Sequence, residues 1–160
     1  RNANLLEDAF KFAKMGGTID LTCGESESKF HSVADAVKKA KKEGVPMEKV
    51  TMSSDGQGSW SNYDAEGKLV EIGVSDVDTI YRQIVYMVKE ENMDLEELLA
   101  LGTKNPAMAL ELYPKKGAVK EESDADILIM NEDLSLDTVI AMGVPMMRDG
   151  KILKKGTYEK

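Results

Sequence analysis

A strand-forming run that stops at a single acid is the feature that most constrains this chain. In Val50-Thr51-Met52-Ser53-Ser54-Asp55-Gly56-Gln57-Gly58-Ser59, the run gives way to Asp55 and then to two glycines one residue apart. β-Branched residues suit a pleated, half-buried surface, whereas Gly lets a backbone bend sharply or approach a ligand closely. Parallel-stranded α/β folds place their chemistry at C-terminal strand ends, on the loops that leave them. Asp55 has such a position. The same residues also fit a Gly-rich turn capped by a surface aspartate, since a short glycine pattern is a weak signal alone. The surrounding pattern tips the balance toward the first reading.

Residues 5–15 place Leu5, Leu6, Ala9, Phe10, Phe12 and Ala13 on an apolar stripe of helical period, which Gly16-Gly17 ends. Residues 18–22 read as a short buried strand and 24–29 as a polar loop. Ser32 then reads as the N-cap of a helix running to Glu43, closed by Gly44 and Pro46. A strand at 49–53 follows. Helix, strand, helix, strand with short connections is the pattern of parallel strands joined by helical crossovers. Residues 62–68 read as a plain turn. Ser75 or Asp76 opens a helix with Val77, Ile80, Ile84, Val85 and Val88 inward, Asp94 to Glu97 form a capping box, and Pro106 sits early in a third helix. After Tyr113-Pro114 the texture becomes β-like, with short runs at 118–120, 126–130, 138–142, 146–148 and 151–154. Asp149-Gly150 is a hairpin turn between the last two. The chain therefore divides into an α/β part, 1–113, and an all-β part, 114–160.

Composition removes several functions. A formal net charge of −8 over 160 residues argues against nucleic acid, which requires a basic face. Lys38, Lys39, Lys41 and Lys42 cluster, but on a predicted helix they read as its solvated side. No apolar run approaches the length that crosses a bilayer. The single cysteine, Cys23, rules out an internal disulfide framework and fits a reducing cytoplasm; no Cys-x-x-Cys partner or paired base accompanies it. His31 is the one histidine, and one histidine cannot make a zinc site. Ser53 and Ser54 lack the positioned His of a serine triad. The ten methionines read as core gap-fillers, not copper ligands. The first residue is Arg1 instead of Met, so the N-terminus of the protein is expected to lie elsewhere.

The segments Thr103-Lys104-Asn105-Pro106-Ala107, Lys116-Gly117-Ala118-Val119, Asp124-Ala125-Asp126-Ile127-Leu128-Ile129-Met130 and Arg148-Asp149-Gly150-Lys151 resemble, in order, the closing signature of the amidohydrolase superfamily. In that superfamily a Thr-x-Asn-Pro-Ala helix leads out of a (β/α)8 TIM barrel, and the Lys-Gly and Asp-Ala-Asp runs enter a small β-sandwich. The resemblance implies an α/β fold: the last two barrel strands with their helices, then the C-terminal strands of the sandwich. One departure is Glu122-Ser123, which stands where the superfamily usually carries Gly. Within the superfamily, Gly16-Gly17-Thr18-Ile19-Asp20-Leu21-Thr22 and Ser53 to Ser59 look most like the isoaspartyl (β-aspartyl) dipeptidase branch. That likeness extends from Arg1 to the C-terminus.

The resemblance implies a C-terminal portion of a two-zinc hydrolase acting on a small molecule, an isoaspartyl dipeptide. Asp55 matches the family's final metal ligand and would also carry the proton from attacking water to departing amine. Arg1 would clamp a substrate carboxylate and Ser59 would hydrogen-bond the substrate, with Gly56 and Gly58 keeping the loop small. The other zinc ligands of the family have no match here. These 160 residues alone are therefore expected to hold no stoichiometric zinc and to lack turnover. A cut barrel exposes strand edges, which predicts a homo-oligomer or a rearranged cover. Two other readings stay open: a different amidohydrolase (dihydroorotase-like or an N-acyl amino acid hydrolase), and a non-catalytic α/β module with a binding or assembly role.

Overall fold

Alternation of side chains builds the first layer of the computed structural model, which describes residues 3–24 and 27–156. In β1 (Ile19–Thr22), Ile19 and Leu21 are buried while Asp20 is exposed. In β2 (Val50–Ser53), Val50 and Met52 join the same core. The two strands pair in parallel, with Ile19 opposite Val50 and Thr22 opposite Ser53. α1 (Ala3–Lys14) precedes β1, while α2 (Glu27–Lys42) and a 3-10 turn at Met47–Lys49 connect the strands. The parallel strand–helix–strand unit expected from the sequence is present.

Helices cover one side of this pair. Phe10 and Ala13 of α1, Val33, Ala34, Ala36, Val37 and Ala40 of α2, and Ile84 and Met87 of α3 (Thr79–Lys89) are buried together with Leu98 and Leu101 of α4 (Leu95–Gly102). The short α5 (Lys104–Ala109) follows. Between β2 and α3 stands an antiparallel hairpin, β3 (Ser59–Tyr63) with β4 (Leu69–Val74). The C-terminal part is a four-stranded antiparallel meander of β5 (Ile127–Met130), β6 (Leu136–Ala141), β7 (Val144–Arg148) and β8 (Lys151–Ile152). Tyr81 on α3 reaches it, donating its hydroxyl to the Leu134 carbonyl at 2.8 Å.

Several sequence expectations need correction. Ser32 is inside α2 rather than its N-cap, because Phe30 of the preceding turn already stacks on Tyr86 of α3. Helix α3 starts at Thr79 with Asp78 as N-cap, so Val77 precedes the helix and is exposed. Leu5 and Phe12 do not share the buried stripe of α1; the Phe12 ring instead lies over Gly17, where an added Cβ would sit 2.1 Å from it. Residues 118–120 form no strand. The turn expected at 62–68 is present, but as the tip of a hairpin, β3–β4, that the sequence did not indicate; there the Asp64 carboxylate accepts the Glu66 and Lys68 amides. The capping box is half made: Asp94 accepts the Glu97 amide at 2.9 Å, but the Glu97 carboxylate pairs with Lys41 on α2.

One buried side chain joins the helices to β2. The Asn105 carboxamide donates to the carbonyls of Met47 and Val50, both at 2.8 Å. A second tie fixes the C-terminal part. Lys116 pairs with both Asp124 and Asp126, and the other Asp126 oxygen accepts the Met142 amide at 2.7 Å in the β6–β7 turn. Gly117 presses on α5 with φ +74°, and a Cβ there would lie 2.8 Å from the Thr103 carbonyl.

Truncating Asn105 to Ala takes one donor from each of two carbonyls, of which that of Met47 keeps the Val50 amide. It is expected to lower stability by about 2–3 kcal/mol, read by chemical denaturation. The Lys116 ammonium and the Met142 amide hold Asp126 below the usual carboxylate range. A depressed folded-state pKa means this contribution is complete above the unfolded carboxylate value and is lost as pH falls through the lower folded value. Lys116 is shifted up, first by its bond to Asp126, so its contribution is complete below the unfolded lysine value and fades as pH rises through the raised one. The Met142 amide resonance is therefore expected to titrate with a midpoint below an ordinary aspartate, and Asp126→Asn should abolish that titration.

Candidate active site

Past Ser53 the parallel ladder ends with the Cys23 amide donating to the Ser53 carbonyl at 2.8 Å. The chain then turns tightly. Asp55 adopts φ 52° and Gln57 φ 65°, left-handed values that side chains other than Gly seldom take, Asp being among the more tolerant. The Gly58 amide closes the turn on the Asp55 carbonyl at 2.8 Å. Ser75, just after β4, clamps it from outside: Gln57 N–H donates to its carbonyl at 2.8 Å, and its own N–H donates to Gly58 O at 2.9 Å. Ser54 is held as well, its Oγ accepting the Gly56 amide at 3.0 Å and its carbonyl accepting the Thr79 hydroxyl at 3.4 Å.

Both glycines are required by close approach. A Cβ on Gly56 would lie 2.8 Å from Val77 Cγ1, and one on Gly58 would lie 2.8 Å from both the Asp55 carbonyl oxygen and Asp55 Oδ1. The loop thus presents Asp55 on a fixed backbone. Its side chain is exposed, and among the described residues none hydrogen-bonds or ion-pairs with the carboxylate. An ionised carboxylate with free acceptor sites can bind a cation, accept a proton, or donate one once protonated.

Ser59 begins β3 opposite Val74, four residues beyond Asp55, so the structure brings these two expected site residues onto one loop and its exit strand. Arg1 lies outside the described residues. His31 sits on α2 with Nδ1 2.6 Å from the Tyr86 hydroxyl, which donates to Glu91 at 3.0 Å. Bonds from Lys38 and Tyr86 keep the Glu91 carboxyl below its ordinary range. His31 therefore belongs to a helix–helix contact, not to the Asp55 loop. Cys23 is buried, with Sγ 3.9 Å from the Leu21 carbonyl. Among the described residues no group of three His, Cys, Asp or Glu is placed to hold a metal ion.

The sequence reading missed a polar cluster beside the loop. Asp20 on β1 accepts the Thr51 hydroxyl at 2.8 Å and the Ser53 hydroxyl at 2.5 Å. Its signal was the alternation Ile19-Asp20-Leu21-Thr22 against Val50-Thr51-Met52-Ser53, which turns one face of a parallel pair polar.

Residues 3–153 match the amidohydrolase family, and the chain belongs to that family. It is similar to a solved β-aspartyl dipeptidase from the thermophilic, keratin-degrading Fervidobacterium islandicum AW-1, in complex with a β-Asp-Leu dipeptide: 35% identity, TM-score 0.83, covering 99% of this chain and 41% of that one. A second structure of β-aspartyl dipeptidase from that organism gives 32% identity and TM-score 0.77, covering 99% of this chain and 38% of that one. The N-acetylglucosamine-6-phosphate deacetylase of Pasteurella multocida shares the fold alone, at 16% identity and TM-score 0.59, over 82% of this chain and 37% of that one. The chain thus spans about two fifths of the two dipeptidases.

The Gly58 contact makes a direct test of the loop. Gly58→Ala has no φ penalty but must push the Asp55 carbonyl and carboxylate apart. A destabilisation of about 1–3 kcal/mol is expected in thermal unfolding, with a crystal structure showing a displaced Asp55.

Proposed function

We propose that this chain is the C-terminal part of a hydrolase that cleaves β-aspartyl (isoaspartyl) dipeptides, with Asp55 as the group that moves the proton. The observation that carries the reading is Asp55 itself: an acid at the C-terminal end of a parallel strand, in a left-handed conformation, its carboxylate unengaged on a loop that two glycines keep narrow. Likeness over 99% of the chain to a dipeptidase solved with β-Asp-Leu supports the substrate class. In this reading residues 1–113 supply the end of the barrel, its last two strands being β1 and β2. Residues 114–160 supply strands of the small β-sandwich.

Ionised Asp55 accepts a proton from the attacking water. Protonated, it donates that proton to the departing amine, so one group serves both steps in turn. Arg1 pairs with a substrate carboxylate, for which a guanidinium fork gives orientation as well as charge. Ser59, on the strand leaving the loop, hydrogen-bonds the substrate.

Metal dependence is general in the amidohydrolase family, and a bound zinc lowers the pKa of its water to about 7. The described residues alone do not fit a zinc site. Catalytic zinc takes three protein ligands, and Asp55 offers one carboxylate without a second or third donor beside it. In this reading Asp55 contributes one ligand to a two-zinc site whose others come from residues outside this chain. Among the described residues both β1 and β2 have a single strand neighbour, an arrangement that favours self-association of this segment in isolation. The single buried Cys23 fits a cytoplasmic setting.

In the full-length enzyme, Asp55→Asn is expected to lower kcat on β-Asp-Leu by about 10²–10⁴-fold. Near-normal turnover by that variant would overturn the role given to Asp55. The 160-residue chain by itself should give no turnover and retain no stoichiometric zinc after dialysis. Turnover with about two retained equivalents would overturn the ligand assignment.

A further inference from the structure

Parallel strands are normally covered on both faces and read as near-continuous apolar runs. β1 and β2 depart from this on one face. Ile19, Leu21, Val50 and Met52 enter the helix-packed core. Asp20, Thr22, Thr51 and Ser53 alternate onto the other face, and Asp is among the residues least suited to a strand. A carboxylate in the middle of β1 is therefore not explained by strand formation or by the core.

Its bonds show what it does. Asp20 stands directly opposite Thr51 in the ladder. One oxygen, Oδ1, accepts the Thr51 hydroxyl at 2.8 Å, and the other, Oδ2, accepts the Ser53 hydroxyl at 2.5 Å. The Thr51 hydroxyl also lies 3.2 Å from the Ile19 carbonyl. A single carboxylate on β1 thus grips two successive same-face residues of β2, ending two residues before Asp55.

We propose that Asp20 is a positioning residue for Asp55. It fixes the last turn of the β2 pleat through Thr51 and Ser53, and the Ser54 and Ser75 bonds fix the loop from the far side. Asp55 is then held between two clamps, and its backbone needs no ordering before its carboxylate meets the reacting atoms. The proposal rests on the role given to Asp55 above. The relevant energy is alignment: displacement of a reacting group by about 1 Å from a remote change costs on the order of 10²-fold in rate.

The test is steady-state kinetics of the full-length enzyme on β-Asp-Leu, with thermal unfolding of each variant alongside. Asp20→Ala is expected to lower kcat about 10- to 100-fold while KM stays within about threefold, because alignment and not binding is lost. Ser53→Ala should lower kcat in the same direction with little change in melting temperature. The double variant Asp20→Ala/Ser53→Ala should be no slower than Asp20→Ala, as expected for two groups acting as one clamp. Asp20→Asn should recover most of kcat, since its oxygen still accepts from Thr51 and its amide can donate to Ser53 Oγ. If Asp20→Ala is too unstable to assay, Ser53→Ala and Asp20→Asn decide the matter by their kcat values. A kcat within about twofold of wild type in Asp20→Ala or Ser53→Ala, whatever the melting temperature, overturns the proposal when Asp55→Asn is inactive. Full activity in Asp55→Asn would instead overturn the reading on which the proposal stands.

Discussion

The Asn105 carboxamide is the interaction on which the remaining architecture depends. Its two hydrogen bonds fall on Met47 and Val50, at the start of the strand whose far end carries Asp55. A buried carbonyl without a donor costs free energy comparable to a lost hydrogen bond, so the bonds fix where β2 begins. They also tie β2 to α5. From α5 the linkage continues: Gly117 lies against Thr103 and Ala107, and Lys116 next to it binds Asp124 and Asp126. Asp126 then holds the β6–β7 turn through the Met142 amide. One run of short contacts thus connects the candidate site to the C-terminal sheet.

Around that run, two faces of the same strands have separate duties. The helix side is apolar and packed, with Val33, Ala34, Val37, Ala40 and Val50 essentially without exposure. The small alanines Ala34, Ala36 and Ala40 of α2 pack into the core that β1 and β2 share. The lysines of α2 are not merely solvated: Lys38 pairs with Glu91, Lys41 with Glu97, and Lys39 with Glu7 at 3.5 Å. Exposed pairs of this kind contribute little stability each, about 0–1 kcal/mol, so their effect is mainly to orient α2 against its neighbours. The opposite face carries hydroxyls and a carboxylate, which bond one another across the two strands.

Legibility in the sequence followed the reach of the forces involved. The β1–α2–β2 unit was readable because periodicity and glycine stops are local, as was the Asp149-Gly150 turn, where both residues take positive φ. The family signature was readable because its residues make the fixed contacts just described. Long-range partners were not. The alternation around Asp20 marks a polar face but does not name its partners, the hydroxyls of Thr51 and Ser53, 31 and 33 residues away. The β3–β4 hairpin escaped because Ser59, Ser61 and Asn62 are polar and exposed, leaving no apolar alternation on the first strand. Helix α2 begins early because Phe30 finds Tyr86, a tertiary contact that overrides the Ser32 cap signal. Within Glu122-Ser123, the pair that departs from the resemblance, Glu122 takes the glycine-like conformation with φ 68°. The neighbouring Ser123 hydroxyl and Asp124 amide bond the Pro114 and Lys115 carbonyls at 2.7 and 2.9 Å and hold the turn in place.

The Asp55 loop shows the same balance at the site. Left-handed φ at two non-glycine positions, Asp55 and Gln57, in one short turn costs on the order of 1–3 kcal/mol each, and such strain persists only when the surroundings over-determine it. Here they do. The strand before the loop is anchored at its start by Asn105 and near its end by Asp20. The segment after the loop is fixed by the reciprocal Ser75 bonds and by Thr79 at the head of α3. Held from both sides, the turn has few ways to relax, and Gly56 and Gly58 leave out the side chains that would force it to. A side chain carried on such a backbone requires little backbone ordering when it engages a ligand, which is the physical advantage of placing a polar group just past a strand end and not on a free loop.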